Sequence, residues 1–138
     1  MKKNQRCIVG TFLLLALLIA FAVPAFAATQ RVISLPAGRA WRAMGVETRT
    51  GDYSYVHAEN LSVFPSSGTD NLEYIHCRVL TSSGTRLSES EYIELDEKDA
   101  GYTEIQLRDG YLTNLEIIFE FRATTTSPAT AVVSYYPL

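Results

Sequence analysis

The chain has 138 residues, of which 47% are hydrophobic, 20% are charged and 11% are aromatic. That composition excludes a disordered, collagenous or low-complexity chain, and the length sets one domain as the upper limit. With 12 Lys and Arg against 15 Asp and Glu the net charge is −3, and the absence of a basic cluster makes nucleic acid or an anionic membrane surface a poor partner.

The first 27 residues have the parts of a secretory signal peptide. Two lysines and an arginine precede an apolar run over residues 8–23, and Pro24 ends this run just before Ala25-Phe26-Ala27, a small-residue site for signal peptidase. We therefore predict a signal of bacterial type over residues 1–27, cleavage after Ala27, and a secreted, extracellular protein. The alternative is an uncleaved transmembrane anchor, because the apolar run approaches the roughly 20 residues that span a bilayer.

Removal of the signal changes the charge and the cysteine content of the chain. Nine cations and fifteen acidic residues then remain in residues 28–138, a net charge of −6. Cys77 becomes the only cysteine, which excludes an internal disulfide, and its alternation with Ile75 and Val79 predicts a thiol on the buried side of a strand. We expect one monomeric domain over residues 28–138 that contacts neither nucleic acid nor, after cleavage, the membrane.

Short segments of alternating apolar and polar residues recur along this domain, and Gly, Pro, Ser, Asn and Asp bound them. A period of two is typical of strands in a half-buried antiparallel sheet. Eight or nine such segments predict an all-β fold: a small antiparallel β-sandwich of immunoglobulin-like or jelly-roll type with about eight strands, or alternatively a small closed barrel. In chain order the segments are 31–35, 41–50, 53–58, 61–64, 72–80, 92–95, 102–108, 115–123 and 131–136.

Turn-forming residues separate these segments. Residues 82–85 and 124–130 are rich in Ser and Thr with Gly or Pro, and Asp109-Gly110 is typical of a type I′ hairpin turn. Residues 88–98 open with a weak capping box and are an alternative helix, but the alternation at 93–95 favours a strand. No repeat and no second domain is indicated.

The outward faces of two predicted strands are rich in tyrosine, and both histidines of the chain lie among these tyrosines. If the two strands share a sheet, these residues form one exposed ligand-binding surface. Tyrosine combines a flat apolar ring with a polar hydroxyl, which suits a sugar ring or a protein partner. The predicted ligand-binding residues are Tyr53, Tyr55, His57, Tyr74, His76 and Arg78.

The same tyrosines have a purely structural interpretation. Tyr is common in strands, and cross-strand aromatic pairs stabilise a sheet by about 0.2–1 kcal/mol each. Trp41 is the only tryptophan of the chain, and we expect it in the core or at the rim of the core.

Three functions are compatible with these features. The first is an exported, non-catalytic binding domain for carbohydrate or cell-envelope material, which predicts coplanar tyrosines on one exposed face or in a shallow groove. The alternative is a protein-interaction or adhesion module for a cell-surface protein, which predicts an unprotected edge strand or an apolar patch. A small hydrolase is the third and least favoured.

The sequence carries no signature of catalysis. A nucleophile elbow, a zinc-binding histidine motif and a phosphate-binding loop are all missing, so no catalytic residue, metal ligand or cofactor is predicted. The acidic residues of 96–101 offer oxygen ligands but do not match the EF-hand spacing. Asn60-Leu61-Ser62 matches a glycosylation sequon, which we interpret as accidental in a bacterial protein.

Overall fold

The structure is a computed structural model that describes residues 29–66, 72–108 and 115–138. Eight strands and one short 3₁₀ turn, Ala37–Arg39, lie in these ranges. The strands are β1 Thr29–Leu35, β2 Arg42–Thr48, β3 Tyr55–Pro65, β4 Tyr74–Thr81, β5 Ile93–Asp96, β6 Thr103–Gln106, β7 Glu116–Ala123 and β8 Ala129–Tyr136.

The strands form two four-stranded sheets, which we call sheet I and sheet II. Sheet I has the order β1-β8-β3-β6 and sheet II the order β2-β7-β4-β5, and every neighbouring pair is antiparallel. The prediction of an all-β chain with about eight strands in a sandwich is confirmed. Among the strands of the described residues, only β4 and its successor β5 belong to the same sheet, whereas every other pair of successive strands is divided between the two sheets.

Two predicted segments, 53–58 and 61–64, belong to the single long strand β3. The pairing of β3 with β8 shifts between Asn60 and Ser62, which marks a bulge. A bulge inserts one residue and so reverses which residues face inward. Ala58 and Asn60 are buried before the bulge and Val63 after it, and this change of phase makes one strand resemble two in the sequence.

The core lies between the two sheets and is filled from their inward faces. In β7 the predicted alternation holds along the whole strand, with Ile117, Phe119 and Phe121 fully buried. Burial of side chains of this size stabilises the fold by about 1.5–3 kcal/mol each. Cys77 is buried as predicted, and burial raises the pKa of its thiol well above the usual range.

One arginine is also buried at the end of β2. Arg49 has no exposed surface, and its Nε donates a hydrogen bond to the carbonyl of Pro137 at 3.2 Å while a terminal amino group donates to the carbonyl of Tyr53. Burial lowers the pKa of this guanidinium. Arg49 therefore ties the start of β3 and the end of the chain to β2, a role that the sequence did not predict.

Loops follow the predictions in part. Residues 82–85 form a turn in which Gly84, at φ +88°, donates a backbone hydrogen bond to Thr81. Asp109-Gly110 lies outside the described residues. Asn60 of the sequon points into the sandwich, where its Nδ2 donates to the carbonyl of Leu95 at 3.2 Å. No helix within 29–66, 72–108 and 115–138 has the length and apolar character needed to cross a bilayer.

Candidate functional site

The six predicted binding residues lie outside the core as expected, but they do not form one surface. Tyr55 and His57 belong to β3 and Tyr53 precedes it, whereas the other three residues belong to β4. Strand β3 is in sheet I and β4 is in sheet II. The condition of a shared sheet is therefore not met, and the two groups lie on the two opposite outer faces of the sandwich.

On the outer face of sheet I, the first group continues into a row of five rings, which we call the sheet-I ladder. Its neighbouring centroids are 5.5, 5.2, 5.7 and 4.7 Å apart, and the two pairs that include the histidine are stacked at 23° and 11°. Centroids about 4.5–7 Å apart are typical of offset-stacked and edge-to-face pairs. The outer two pairs are tilted by 46° and 68°, so the five rings do not form one coplanar platform. In order the ladder is Tyr53, Tyr55, His57, Tyr102 and Tyr136.

Hydroxyl groups and nearby carboxylates surround the rings of the ladder. The hydroxyl oxygens of Tyr102 and Tyr136 are 2.7 Å apart, and this hydrogen bond raises the pKa of Tyr136 to about 12. Glu104 lies 3.8 Å from Nε2 of His57, and Glu59 lies close enough to add to the shift at Tyr136. The ladder thus offers tyrosine hydroxyls within an acidic surrounding.

On the outer face of sheet II, the second group is joined by three residues that sequence reasoning did not select. The β4–β7 register places His76 opposite Arg122, and the β4–β5 register places Cys77 opposite Ile93, directly after Tyr92. Trp41 directly precedes β2, the neighbour of β7. We call the six residues the sheet-II cluster: Trp41, Tyr74, His76, Arg78, Tyr92 and Arg122.

Aromatic rings hold both arginines of the sheet-II cluster. The Cζ atoms of Arg78 and Arg122 lie 4.2 and 4.4 Å from the ring centroid of Trp41. Arg122 is also 5.0 Å from the ring of Tyr92, which in turn stacks on His76 with centroids 3.9 Å apart. Cation–π contacts of this kind contribute about 0.5–2 kcal/mol each, depending on desolvation.

Trp41 therefore has a different place from the one predicted. It is half-buried on the outer face of sheet II against two guanidinium groups, and it is not part of the core. The sequence signal was ambiguous because Trp41 lies at the edge of a segment in which either parity can be internal.

The two arginines have different polar partners. Nε of Arg78 donates to a carboxylate oxygen of Glu120 at 2.7 Å. Nε of Arg122 donates to Nδ1 of His76 at 3.1 Å, and within the described ranges no carboxylate oxygen lies within 4.0 Å of Arg122. Arg122 is thus a half-buried cation with a neutral partner.

His76 is kept in its neutral form by its surroundings. Burial, and then the positive charges of Arg122 and Arg39, lower its pKa from the usual 6.5, against an opposing effect of Glu94, whose carboxylate is 3.6 Å from Nε2. Since Nδ1 accepts the hydrogen bond from Arg122, the proton of the neutral ring is on Nε2 and faces Glu94. His76 acts here as an acceptor that orients the guanidinium.

A strained turn brings a third arginine near the cluster. Arg39 has φ +61°, a left-handed conformation that costs a non-glycine residue about 1–2 kcal/mol. The preceding Gly38 donates a backbone hydrogen bond to Thr126 at 2.8 Å, which fixes the turn against the β7–β8 connection. Arg39 is exposed, and its positive charge contributes to the lowered pKa of His76.

The two lateral sides of the sandwich differ. On the side of β5 and β6, Leu87 donates to the carbonyl of Val79 and accepts from the amide of Arg108, so that the segment around Leu87 closes the sandwich. On the other side, a cleft of about 460 Å³ opens between the edge strands β1 and β2. Arg31 bridges it weakly to Glu47 at 4.0 Å, and Val32 on the edge is 73% exposed.

Residues 29–66, 72–108 and 115–138 contain no group of three or more His, Cys, Asp or Glu side chains placed to hold a metal ion. Comparison of the chain with family models, with curated proteins and with solved structures finds no significant match, so function is inferred from the geometry of these side chains.

Proposed function

We propose that the chain is an exported, non-catalytic binding domain for carbohydrate or other cell-envelope material, and that the sheet-II cluster is its binding surface. The observation that carries the proposal is the packing of Trp41 against two guanidinium groups, beside Tyr92 and His76. Trp, Tyr and Arg are the residue types that dominate binding energy in recognition surfaces. On an acidic chain, such a concentration on one sheet face favours a binding role.

The strand order supports a more specific fold assignment, which we also propose. Strands β1, β2, β3 and β4 pair with β8, β7, β6 and β5 respectively. This winding is that of a jelly roll rather than of an immunoglobulin domain, and jelly rolls include lectin domains. Because one fold serves many functions, the winding is compatible with carbohydrate binding, and the side chains carry the argument.

The sheet-II cluster suits a saccharide better than the sheet-I ladder does. The guanidinium groups are rigid, multiple hydrogen-bond donors for sugar oxygens, and the stacked rings fix their orientation. The ladder, by contrast, lies beside the carboxylates of Glu104 and Glu59, and two of its tyrosine hydroxyls already bond each other. The proposed ligand-binding residues therefore include Tyr74, His76 and Arg78 from the sequence prediction, and they exclude the three predicted residues that belong to the sheet-I ladder.

A pull-down of purified residues 28–138 on insoluble polysaccharides and peptidoglycan tests this proposal. Trp41→Ala/Tyr92→Ala removes two rings from the sheet-II cluster, and Tyr53→Ala/Tyr55→Ala removes two rings from the sheet-I ladder. Circular dichroism and thermal unfolding confirm that each variant folds. We expect the first variant to lose binding and the second to keep it. The opposite pattern transfers the site to the ladder, and no binding to any material by the unsubstituted domain contradicts the proposal.

The edge strands favour a second candidate function, protein interaction. β1 and β2 are seven residues long and each leaves one edge unpaired within the described residues, and Val32 is exposed beside Val132 on β1 and β8. Long free edges and apolar residues favour strand addition by a partner. Val32→Lys places a charge on the edge strand, which hinders strand addition. This variant is therefore expected to lose retention on immobilised cell-surface protein, whereas Trp41→Ala/Tyr92→Ala is expected to be retained. Equal retention of the Val32→Lys variant contradicts this function.

A further inference from the structure

We infer that the ligand of the sheet-II cluster carries oxyanion groups, carboxylate or phosphate, and that Arg122 binds them. This inference rests on the proposed function and names the chemistry of the ligand. It depends on three features of the face: the partners of Arg122, the way the guanidinium is held, and the balance of charge around it.

The first feature is the pairing of the two central arginines. Arg78 already has a carboxylate, since Glu120 accepts its Nε hydrogen bond at 2.7 Å. Arg122 has only the neutral acceptor His76, and none of the described carboxylates lies within 4.0 Å of its guanidinium. The terminal amino groups of Arg122 are therefore donors of charge-assisted hydrogen bonds that the described residues do not neutralise.

The second feature is orientation. The ring of Trp41 lies 4.4 Å and that of Tyr92 5.0 Å from Cζ of Arg122, and Nε is directed at Nδ1 of His76. A guanidinium held by two rings and one hydrogen bond has lost most of its side-chain entropy before the ligand arrives. Such a planar fork matches the two oxygens of a carboxylate or phosphate, which is the geometry of bidentate recognition.

The third feature is the local charge. Arg39, Arg78 and Arg122 contribute three positive charges around the cluster, against Glu94, Glu120 and Asp96, which lies opposite Tyr74. The chain as a whole carries −3, so this cluster is less acidic than the protein as a whole. The strained backbone of Arg39 keeps an exposed cation beside His76, and strain of this kind concentrates at functional sites. Since Glu120 already pairs with Arg78, the charge of Arg122 is the one that an anion can approach at the centre of this face.

The test is a titration of the purified protein, expressed from the full chain, with polymers of different charge. Trp41 is the only tryptophan of the chain, so its fluorescence reports directly on this face. The probes are polygalacturonate for carboxylate, poly(glycerol phosphate) for phosphate, dextran as a neutral saccharide, and poly-glutamate as an acidic peptide. We expect binding of polygalacturonate, poly(glycerol phosphate) or both, weakened by salt, and no binding of dextran or poly-glutamate.

Substitutions then test Arg122 itself. Arg122→Gln is expected to weaken binding of the anionic polymer by about tenfold or more, because it removes charge-assisted hydrogen bonds. Arg108→Gln, the matched control, makes the same change of charge at the end of sheet I and is expected to alter affinity less than about twofold. Arg39 lies on an exposed turn, so Arg39→Gln serves as a second variant if Arg122→Gln does not fold. We expect Arg39→Gln to weaken binding of the anionic polymer by less than Arg122→Gln and by more than Arg108→Gln.

Four results separate failure of this inference from failure of the proposed function. Equal binding of dextran, unaffected by Arg122→Gln, overturns the oxyanion chemistry and leaves carbohydrate binding intact. Equal binding of poly-glutamate overturns the saccharide and favours an acidic protein segment. Equal losses in Arg122→Gln and Arg108→Gln overturn the role of Arg122 and indicate non-specific attraction. Binding of none of the polymers overturns both the inference and the proposed function.

Discussion

Two ion pairs of equal length are expected to differ in their contribution to stability because their surroundings differ. The Nε of Arg78 and a carboxylate oxygen of Glu120 are 2.7 Å apart, and so are the Nζ of Lys98 and a carboxylate oxygen of Glu73. The side chains of the first pair are 26% and 14% exposed, and those of the second are 63% and 50% exposed. The comparison therefore holds distance constant and varies burial.

The expected magnitude follows from the local dielectric. A hydrogen bond to a charged group contributes about 1.5–3 kcal/mol when it is shielded from water, and an exposed ion pair about 0–1 kcal/mol. The pair of Arg78 with Glu120 is only partly buried, so we expect a coupling free energy of about 1–2 kcal/mol. For Lys98 with Glu73 we expect no measurable coupling, because water screens both groups.

Double-mutant cycles measure these couplings. The variants are Arg78→Gln, Glu120→Gln and their combination, with Lys98→Gln, Glu73→Gln and their combination as the matched set. Urea unfolding of residues 28–138 is followed by far-ultraviolet circular dichroism, because the fluorescence of Trp41 changes when its contact with Arg78 is lost. The cycle cancels that cation–π contribution, which occurs in both variants that lack Arg78. Equal couplings in the two sets, or the larger one for Lys98 with Glu73, refute the reasoning.

Three further predictions each concern one residue of the domain over residues 28–138. Burial raises the pKa of Cys77, so its thiol is expected to resist aromatic disulfide reagents in the folded domain and to react on addition of denaturant; rapid reaction under native conditions contradicts this. Burial and the charges of Arg122 and Arg39 lower the pKa of His76 from 6.5, although Glu94 opposes this effect. Because the unfolded chain binds this proton more readily than the folded domain, the free energy of unfolding is expected to fall as the pH drops from above 6.5 through the lowered pKa. Urea unfolding at a series of pH values should show a smaller fall for His76→Gln. Tyr136 has a pKa of about 12, chiefly because of its hydrogen bond with Tyr102, and Tyr102→Phe is expected to shift its ionisation toward the usual 10 in an ultraviolet titration; an unchanged titration excludes the hydrogen bond as the cause.

Much of the fold was predictable because alternation is a local property. Whether Ile75 and Cys77 face inward and Tyr74 and His76 outward depends only on the period of two along one strand, and both assignments are confirmed. The exception is β3, where the bulge near Ser62 reverses the alternation and divides one strand into two apparent segments. No residue type between Asn60 and Ser62 predicts a bulge.

The composition of the sheet-II cluster was only half predictable for a similar reason. His76 and Arg78 were selected because they share a strand with their aromatic neighbour, but Arg122 and Tyr92 reach them only through the pairing of β4 with β7 and β5. The alternation of β7 puts Arg122 on the outward face of its strand, but nothing in the sequence specifies which strand lies beside it.

The sequence by itself determined the class of the fold, most strand positions and the inward or outward direction of the side chains in regularly alternating strands, because these follow from local hydrophobic periodicity. Only the tertiary structure decided which strands are neighbours. It separated β3 from β4, which divided one predicted surface into two opposite faces, and it joined β2, β7, β4 and β5 so that Trp41 meets two arginines. Strand pairing depends on contacts between residues far apart in the chain, and the free energy of those contacts is not encoded in the alternation of any single segment.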